Sequence, residues 1–265
     1  ELSARDVVLE VGTGTGSLTS QLALRAGRVV TVEIDPQMFA LAMEELHRFP
    51  NVRQLSMDAL KGKNAISPVV LDAVREAMSL VPDARFRLVA NLPYNVATPI
   101  LSNLLACEIP PCSMTVTIQK ELADRIVAVP GTKDYGSLAL WVQAQCDTQV
   151  IRVLPPTVFW PKPKVTSAII HVVRNEVKRS QIVDLAFYHR FVRALFLHRR
   201  KFLRSQLCAA TKMIAEQTGF RSLEKDEVDI LLNECSLDPQ IRAEQLDLAT
   251  VRSLGDALRD RMTSR

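Results

Sequence analysis

Asn91-Leu92-Pro93-Tyr94-Asn95 brings together groups that could hold a planar heterocycle by its exocyclic amine. The Asn91 amide oxygen can accept a hydrogen bond from an NH2 group. Pro93 stiffens the turn and leaves neighbouring carbonyls, those of Leu92 and Pro93, to accept as well. Tyr94 offers a flat face on which a base can stack. Taken alone, the pentapeptide reads equally as a proline turn with a half-buried tyrosine. Its setting argues for more: the preceding run, residues 86–90 (Phe-Arg-Leu-Val-Ala), reads as a buried strand. The motif therefore sits at a strand's carboxyl end, where open α/β sheets bind ligands.

The upstream elements place further groups at that same edge. Residues 7–11 form a short apolar run, followed at once by Gly12-Thr13-Gly14-Thr15-Gly16 and a periodic helical segment from Ser17. Strand, glycine loop and helix make the first unit of a nucleotide-binding α/β domain. The dinucleotide fingerprint wants its third glycine where Ser17 stands. The pattern is instead Glu-x-Gly-x-Gly-x-Gly, from Glu10 to Gly16. A second strand, residues 29–32, ends in Glu33-Ile34-Asp35, and an acid about 20 residues past the glycines is placed to take both hydroxyls of a ribose. Glu33 is the choice for that role. Asp35 before Pro36 reads as a helix cap. A third strand, residues 52–55, leads to Asp58-Ala59, where an aspartate can accept from the exocyclic amine of a bound adenine. Residues 61–83 read as a helical insertion.

Downstream, a fifth strand (115–118) leads into Gln119-Lys120-Glu121 and a helix over 122–127, and another helix covers 138–144. Residues 150–154 and 168–173 read as a closing hairpin-like pair. The loop between them contains Pro155, Pro156, Pro161 and Pro163, so it is extended and stiff, presenting Phe159 and Trp160. An aromatic face opposite Tyr94 would sandwich a flipped base. Residues 175–180 read as a polar linker, and beyond about 184 only helical patterns occur. The first of these, residues 187–207, reads as one helix carrying Arg190, Arg193, Arg199, Arg200, Lys201 and Arg204 and no acid. Its apolar residues recur at helical spacing, leaving the other face strongly positive, as RNA phosphates require.

Composition bounds the rest. The chain has 265 residues, 48% of them apolar, and a net charge of +4, a mild excess that permits a polyanionic partner. No run approaches the ~18 uncharged apolar residues of a membrane helix, and there is no signal-peptide pattern. Five cysteines form no CxxC pair, which argues against disulfides and a zinc site and suggests a reducing cytoplasm. We expect no metal, no membrane partner and a monomer. The chain starts at Glu1, so we expect an N-terminal piece to be missing.

The order of glycine loop, acid, Asp and polar motif resembles class I methyltransferases that use S-adenosylmethionine. The Asn-Leu-Pro-Tyr motif is similar to that of enzymes methylating exocyclic amines of bases. Glu10 to Gly16, Glu33-Ile34-Asp35, Asp58-Ala59, Asn91 to Asn95, Gln119-Lys120-Glu121, Tyr135-Gly136, Phe159-x-Pro161-x-Pro163-Lys164-Val165 and His198-Arg199-Arg200-Lys201 together resemble the KsgA family of small-subunit ribosomal RNA adenine dimethyltransferases, over nearly the whole chain.

The resemblance implies a Rossmann-like α/β sheet, mostly parallel with an antiparallel last strand, over residues 1–176. A smaller all-α domain that binds RNA or the ribosome would cover 183–265. It implies S-adenosylmethionine bound by Glu10, Gly12, Gly14, Gly16, Glu33, Ile34, Asp58, Ala59 and Asn91. Catalysis would fall to Asn91, Leu92, Pro93, Tyr94 and Phe159, and RNA binding to the six cations named above. The implied reaction methylates N6 of two adjacent adenosines in the 3′-terminal hairpin loop, on a small-subunit assembly intermediate. Relatives carry a Gly-Gln-Asn-Phe-Leu type segment before the first strand that helps enclose the cofactor. Its absence here implies weakened cofactor affinity and an open site. The macrolide-resistance enzymes, which methylate one adenine of large-subunit RNA, share the glycine and Asn-Pro-Tyr features; the His198 to Lys201 basic cluster and the long helical domain favour the small-subunit family. A non-catalytic RNA-binding assembly or transcription factor is the reading from another class. A small-molecule methyltransferase has no use for an acid-free basic helix.

Overall fold

In the computed structural model, which describes residues 1–62 and 65–264, the apolar runs become the strands of one sheet. The chain runs β1 (Asp6–Val11), α1 (Ser17–Ala23), β2 (Arg28–Glu33), α2 (Pro36–Leu46), β3 (Val52–Ser56), α3 (Pro68–Ser79) and β4 (Arg85–Asn91). It continues through α4 (Ala97–Ala106), β5 (Ser113–Gln119), α5 (Lys120–Val127), α6 (Ser137–Gln143), β6 (Cys146–Leu154) and β7 (Ser167–Arg174). The helices α7 (Glu176–Ser180), α8 (Leu185–Leu195), α9 (Leu203–Thr218), α10 (Lys225–Glu234) and α11 (Leu248–Thr263) complete it.

Strand order is β3-β2-β1-β4-β5-β7-β6. The pairs β1–β2, β2–β3, β1–β4 and β4–β5 are parallel, and β7 runs antiparallel to β5, with Ser167 opposite Gln119 and Val173 opposite Ser113. All six residues of β1 are buried, as a central parallel strand covered on both faces demands. In β4 and β5 buried and half-buried residues alternate. Local signals set the helix starts. The Asp35 side chain accepts from the Gln37 and Met38 N–H groups with Pro36 in the first turn, which fixes α2.

By contact the chain separates into two compact units: Glu1–Ala123 with Asp147–Arg174, and Asp124–Cys146 with Asn175–Arg265. The first holds the sheet. The switch at Arg174 lies close to the expected cut at 176, but residues 124–146 pack with the helical unit. The reason is tertiary: within that unit, Trp141 on α6 stacks on His189 of α8 at 4.2 Å, and the Tyr135 hydroxyl donates to the Leu246 carbonyl at 3.0 Å.

Three local expectations are corrected. Residues 61–83, of which Lys63 and Asn64 lie outside the described residues, are not an insertion. Their helix α3 is the crossover that a parallel β3-to-β4 connection needs, and it buries Val70, Ala73, Val74 and Ala77. The polar stretch 175–180 is not a linker but forms α7, capped by the Asn175 side chain accepting from Lys178 N–H. Residues 187–207 are not one helix: α8 stops at Leu195 and α9 starts at Leu203. The first free N–H groups of α9 donate to the carbonyls of Ile241 (from Leu203, 2.8 Å) and Pro239 (from Arg204, 3.2 Å), so a distant segment supplies the cap. Arg265 lies outside the described residues.

Gly255 in α11 faces Phe191 of α8, which is fully buried, and a Cβ on Gly255 would lie 2.9 Å from the ring. Gly255→Val should lower unfolding free energy by about 1–3 kcal/mol through overpacking, read by chemical denaturation. Unchanged stability would mean that this helix pair is not closely packed.

Candidate active site

The chain leaves β1 toward β2 and β3 on one side and returns to β4 and β5 on the other, so the order reverses between β1 and β4. A crevice opens at such a switch point, beyond the carboxyl ends of the strands. Gly12 and the Asn91–Tyr94 motif meet there. Gly12 has φ +87°, its N–H donates to the Val32 carbonyl at 2.8 Å, and a Cβ on it would stand 3.2 Å from Pro93 Cδ and 3.6 Å from the Asn91 carbonyl oxygen. The backbone angle calls for glycine, and the close approach leaves a Cβ only tight space against the proline ring.

The motif is held at several points. Asn91 ends β4 opposite Thr117 and is exposed, and the next N–H, from buried Leu92, donates to the Thr117 carbonyl at 3.1 Å. The Pro93 carbonyl accepts from Val96 N–H at 3.1 Å, ahead of α4. The Tyr94 hydroxyl and the buried Ser167 hydroxyl lie 2.7 Å apart, which ties the ring to the start of β7. The spacing of motifs gave no sign of Ser167.

Two cavities share Gly12, Glu33 and Pro93. One, of about 360 Å³, is lined by Gly14, Asn91, Leu92, Tyr94, Phe159 and Trp160 in addition. The loop that supplies Phe159 is not extended throughout, because residues Pro156–Val158 form a short 3-10 turn. The other cavity is lined by Ile34, Met57, Asp58, Ala59 and Ile100 among others. One Glu33 oxygen accepts from Gly14 N–H at 2.8 Å and the other from Asp35 N–H at 3.0 Å. Each oxygen keeps lone pairs that can accept from a hydroxyl. Asp58 Oδ1 accepts from Leu60 N–H at 2.9 Å. A carboxylate fixed by backbone donors beside an apolar slot fits the ribose and purine of an adenosyl group. The close backbone at Gly12 leaves room for its chain.

Some expected site residues are elsewhere. Gly16 is buried at the start of α1, where a Cβ would meet the Leu46 side chain at 3.2 Å. Glu10 lines neither cavity. It lies beneath the glycine loop, 1% exposed, where its Oε2 accepts from the hydroxyls of Thr19 (2.5 Å) and Thr31 (2.7 Å). The Thr31 hydroxyl is also 2.6 Å from that of Thr13. Glu10 therefore ties α1, β2 and the loop together.

The six basic residues all belong to the helical unit. Arg190 and Arg193 are on α8, Arg199, Arg200 and Lys201 in the turn after it, and Arg204 on α9. Arg204 forks onto both Asp229 oxygens at 2.5 and 2.6 Å, while Arg199 donates to the Tyr135 carbonyl at 2.8 Å and Glu244 at 3.3 Å. These two do structural duty. Among the described residues, Arg193, Arg200 and Lys201 are exposed and make no ion pair within 4.0 Å.

Burial pushes the Glu10 carboxyl up to about 7, against the lowering hydrogen bonds from Thr19 and Thr31 and with some help from the charge of Glu33. A raised folded-state value means that the contribution is fully present below the ordinary 4.5 and fades as pH rises through about 7. Between those limits wild-type stability should fall relative to Glu10→Gln, by on the order of 3 kcal/mol. Denaturation curves across that window measure it, and parallel pH dependences for the two proteins would refute it.

Comparison with known proteins agrees with this geometry. Residues 1–233 match the family model described as ribosomal RNA adenine dimethylase. The chain is 38% identical over 258 residues to ribosomal RNA small subunit methyltransferase A of Geobacillus kaustophilus, covering 97% of this chain and 83% of that one. To the protein of the same name from Streptococcus pneumoniae it is 38% identical over 253 residues, covering 95% and 82%. A dimethyladenosine transferase from Plasmodium falciparum has a similar fold, with TM-score 0.74 at 22% identity over 96% of this chain and 90% of that one. So has the 23S rRNA methyltransferase ErmE, with TM-score 0.60 at 22% identity over 98% and 93%. The mostly parallel seven-stranded sheet with its antiparallel β7 is thus that of a class I methyltransferase, and the chain belongs to the ribosomal RNA adenine dimethylase family.

Proposed function

We propose that this protein transfers methyl groups from S-adenosylmethionine to N6 of two adjacent adenosines in the 3′-terminal hairpin loop of small-subunit ribosomal RNA. It would act on a small-subunit assembly intermediate in the cytoplasm. The carrying observation is the pair of cavities that meet at Gly12, Glu33 and Pro93, one with groups for an adenosyl moiety and the other with Asn91, Tyr94 and Phe159. The names of the curated relatives favour small-subunit RNA over the large-subunit substrate of the resistance-type enzymes.

The cofactor supplies an electrophilic methyl group on a sulfonium sulfur. The difficulty lies on the other side, because the adenine N6 lone pair is delocalised into the ring. Asn91 ends its strand with an exposed side chain whose amide oxygen can accept one N6 hydrogen. The second can be accepted by the Leu92 carbonyl or by the remaining lone pair of the Pro93 carbonyl, which already takes the Val96 N–H. Two acceptors draw the amine out of conjugation and free its lone pair for attack. Tyr94, anchored through Ser167, and Phe159 fix the ring plane. No strong base is needed beforehand, since a methylated ammonium loses its proton readily. The rate gain is positional and electrostatic. Arg193, Arg200 and Lys201, which make no ion pair among the described residues, would meet RNA phosphates.

Asn91→Ala tests this assignment. On small subunits lacking these methyl groups, kcat should fall about 100- to 1,000-fold, while binding of RNA measured without cofactor stays near wild type. Wild-type turnover in the variant would remove Asn91 from the chemistry. With the wild-type protein, label entering large-subunit RNA alone would transfer the case to the resistance-type reaction, and binding with no transfer to either RNA would leave an assembly factor.

A further inference from the structure

Trp160 is 96% exposed, on the rim of the cavity that Phe159 and Tyr94 line. Leaving an indole almost wholly in water forgoes the burial of one of the largest apolar surfaces a side chain offers. The loop does not leave it there through slackness. Pro161 and Pro163 follow it and line the same cavity, while its neighbour Phe159 is half-buried. The stretch is stiff and points one ring inward and the next outward. Lys162 and Lys164 are exposed in the same loop and make it cationic.

We propose that Trp160 is a stacking platform for the unpaired nucleotide adjoining the base held in the cavity. Charge complementarity selects the occupant: an exposed ring followed in the loop by Lys162 and Lys164 suits a polyanionic strand with π-faces, since bases stack on aromatic rings while cations track the backbone. Continuity with the cavity sets the position, because a neighbour one nucleotide away emerges at its rim. Trp160 is thereby a positioning residue that holds the strand in register and keeps the second base at the entrance. That the neighbour is an adenosine rests on the function proposed above; the stacking itself does not.

The chain contains two tryptophans, and the other, Trp141, is 1% exposed against His189 in the helical unit. The difference between wild-type and Trp160→Ala emission spectra therefore isolates the rim indole in the full chain. Titration with a short single-stranded oligoadenosine should quench that signal and shield it from iodide, whereas a duplex of the same length should not. In methyl transfer to small subunits, Trp160→Ala should raise KM for RNA roughly tenfold, more than it lowers kcat, and Trp160→Phe should restore most of the loss. The proposal is overturned if labelled oligonucleotide binds by anisotropy without changing the Trp160 signal, if no single-stranded RNA binds, or if Trp160→Ala leaves KM unchanged. Quenching by single strands in a protein that transfers no methyl group would keep the platform and discard the reaction.

Discussion

At the switch point of the sheet the backbone of Gly12, held at φ +87°, passes close to Pro93, so that even a Cβ would stand 3.2 Å from the proline ring. That approach makes one site of two loops that lie about 80 residues apart in sequence. It sets the cavity lined by Asn91 beside the one lined by Asp58, and both cavities count Gly12, Glu33 and Pro93 in their walls. The surrounding hydrogen bonds maintain the approach. Gly12 donates to Val32, Leu92 donates to Thr117, and Glu33 takes the N–H of Gly14, so β1, β2, β4 and β5 each hold one side of the crevice.

The two carboxylates near the glycine loop illustrate how burial decides a role. Glu33 opens into both cavities and receives one backbone N–H on each oxygen, which leaves it free to accept more. Glu10, fully enclosed, gives one oxygen to two threonine hydroxyls and is pushed toward neutrality by burial. The first can grip a ligand, and the second braces the loop that the ligand meets. Neither stands within the Asn91 motif as a base, and amine methylation requires none there.

Much of this was legible in the sequence because it is local. Apolar runs ending in Glu33, Asp58 and Asn91 gave strands whose carboxyl ends lie along one edge, and Asp35-Pro36 gave a helix start. The features that escaped are those written by distant partners. The break in 187–207 depends on carbonyls of Pro239 and Ile241, which cap α9 from another part of the chain. The membership of residues 124–146 in the helical unit depends on Trp141 finding His189. The anchoring of Tyr94 depends on Ser167, 73 residues further on. Charge counting also overstated the basic surface, because Arg204 and Arg199 are committed to Asp229 and Glu244. An excess of cations along a sequence does not reveal which of them pair inside the fold.

Delivery of methyl groups by the paired cavities to an exocyclic amine of small-subunit RNA leaves its mark in the product. Small subunits lacking methylation in the 3′-terminal hairpin would be incubated with this protein and S-adenosylmethionine, and the RNA digested and analysed by mass spectrometry. The expected product is N6,N6-dimethyladenosine at two adjacent positions of that loop. Methyl groups on a ring nitrogen, on ribose or on a different RNA would contradict it.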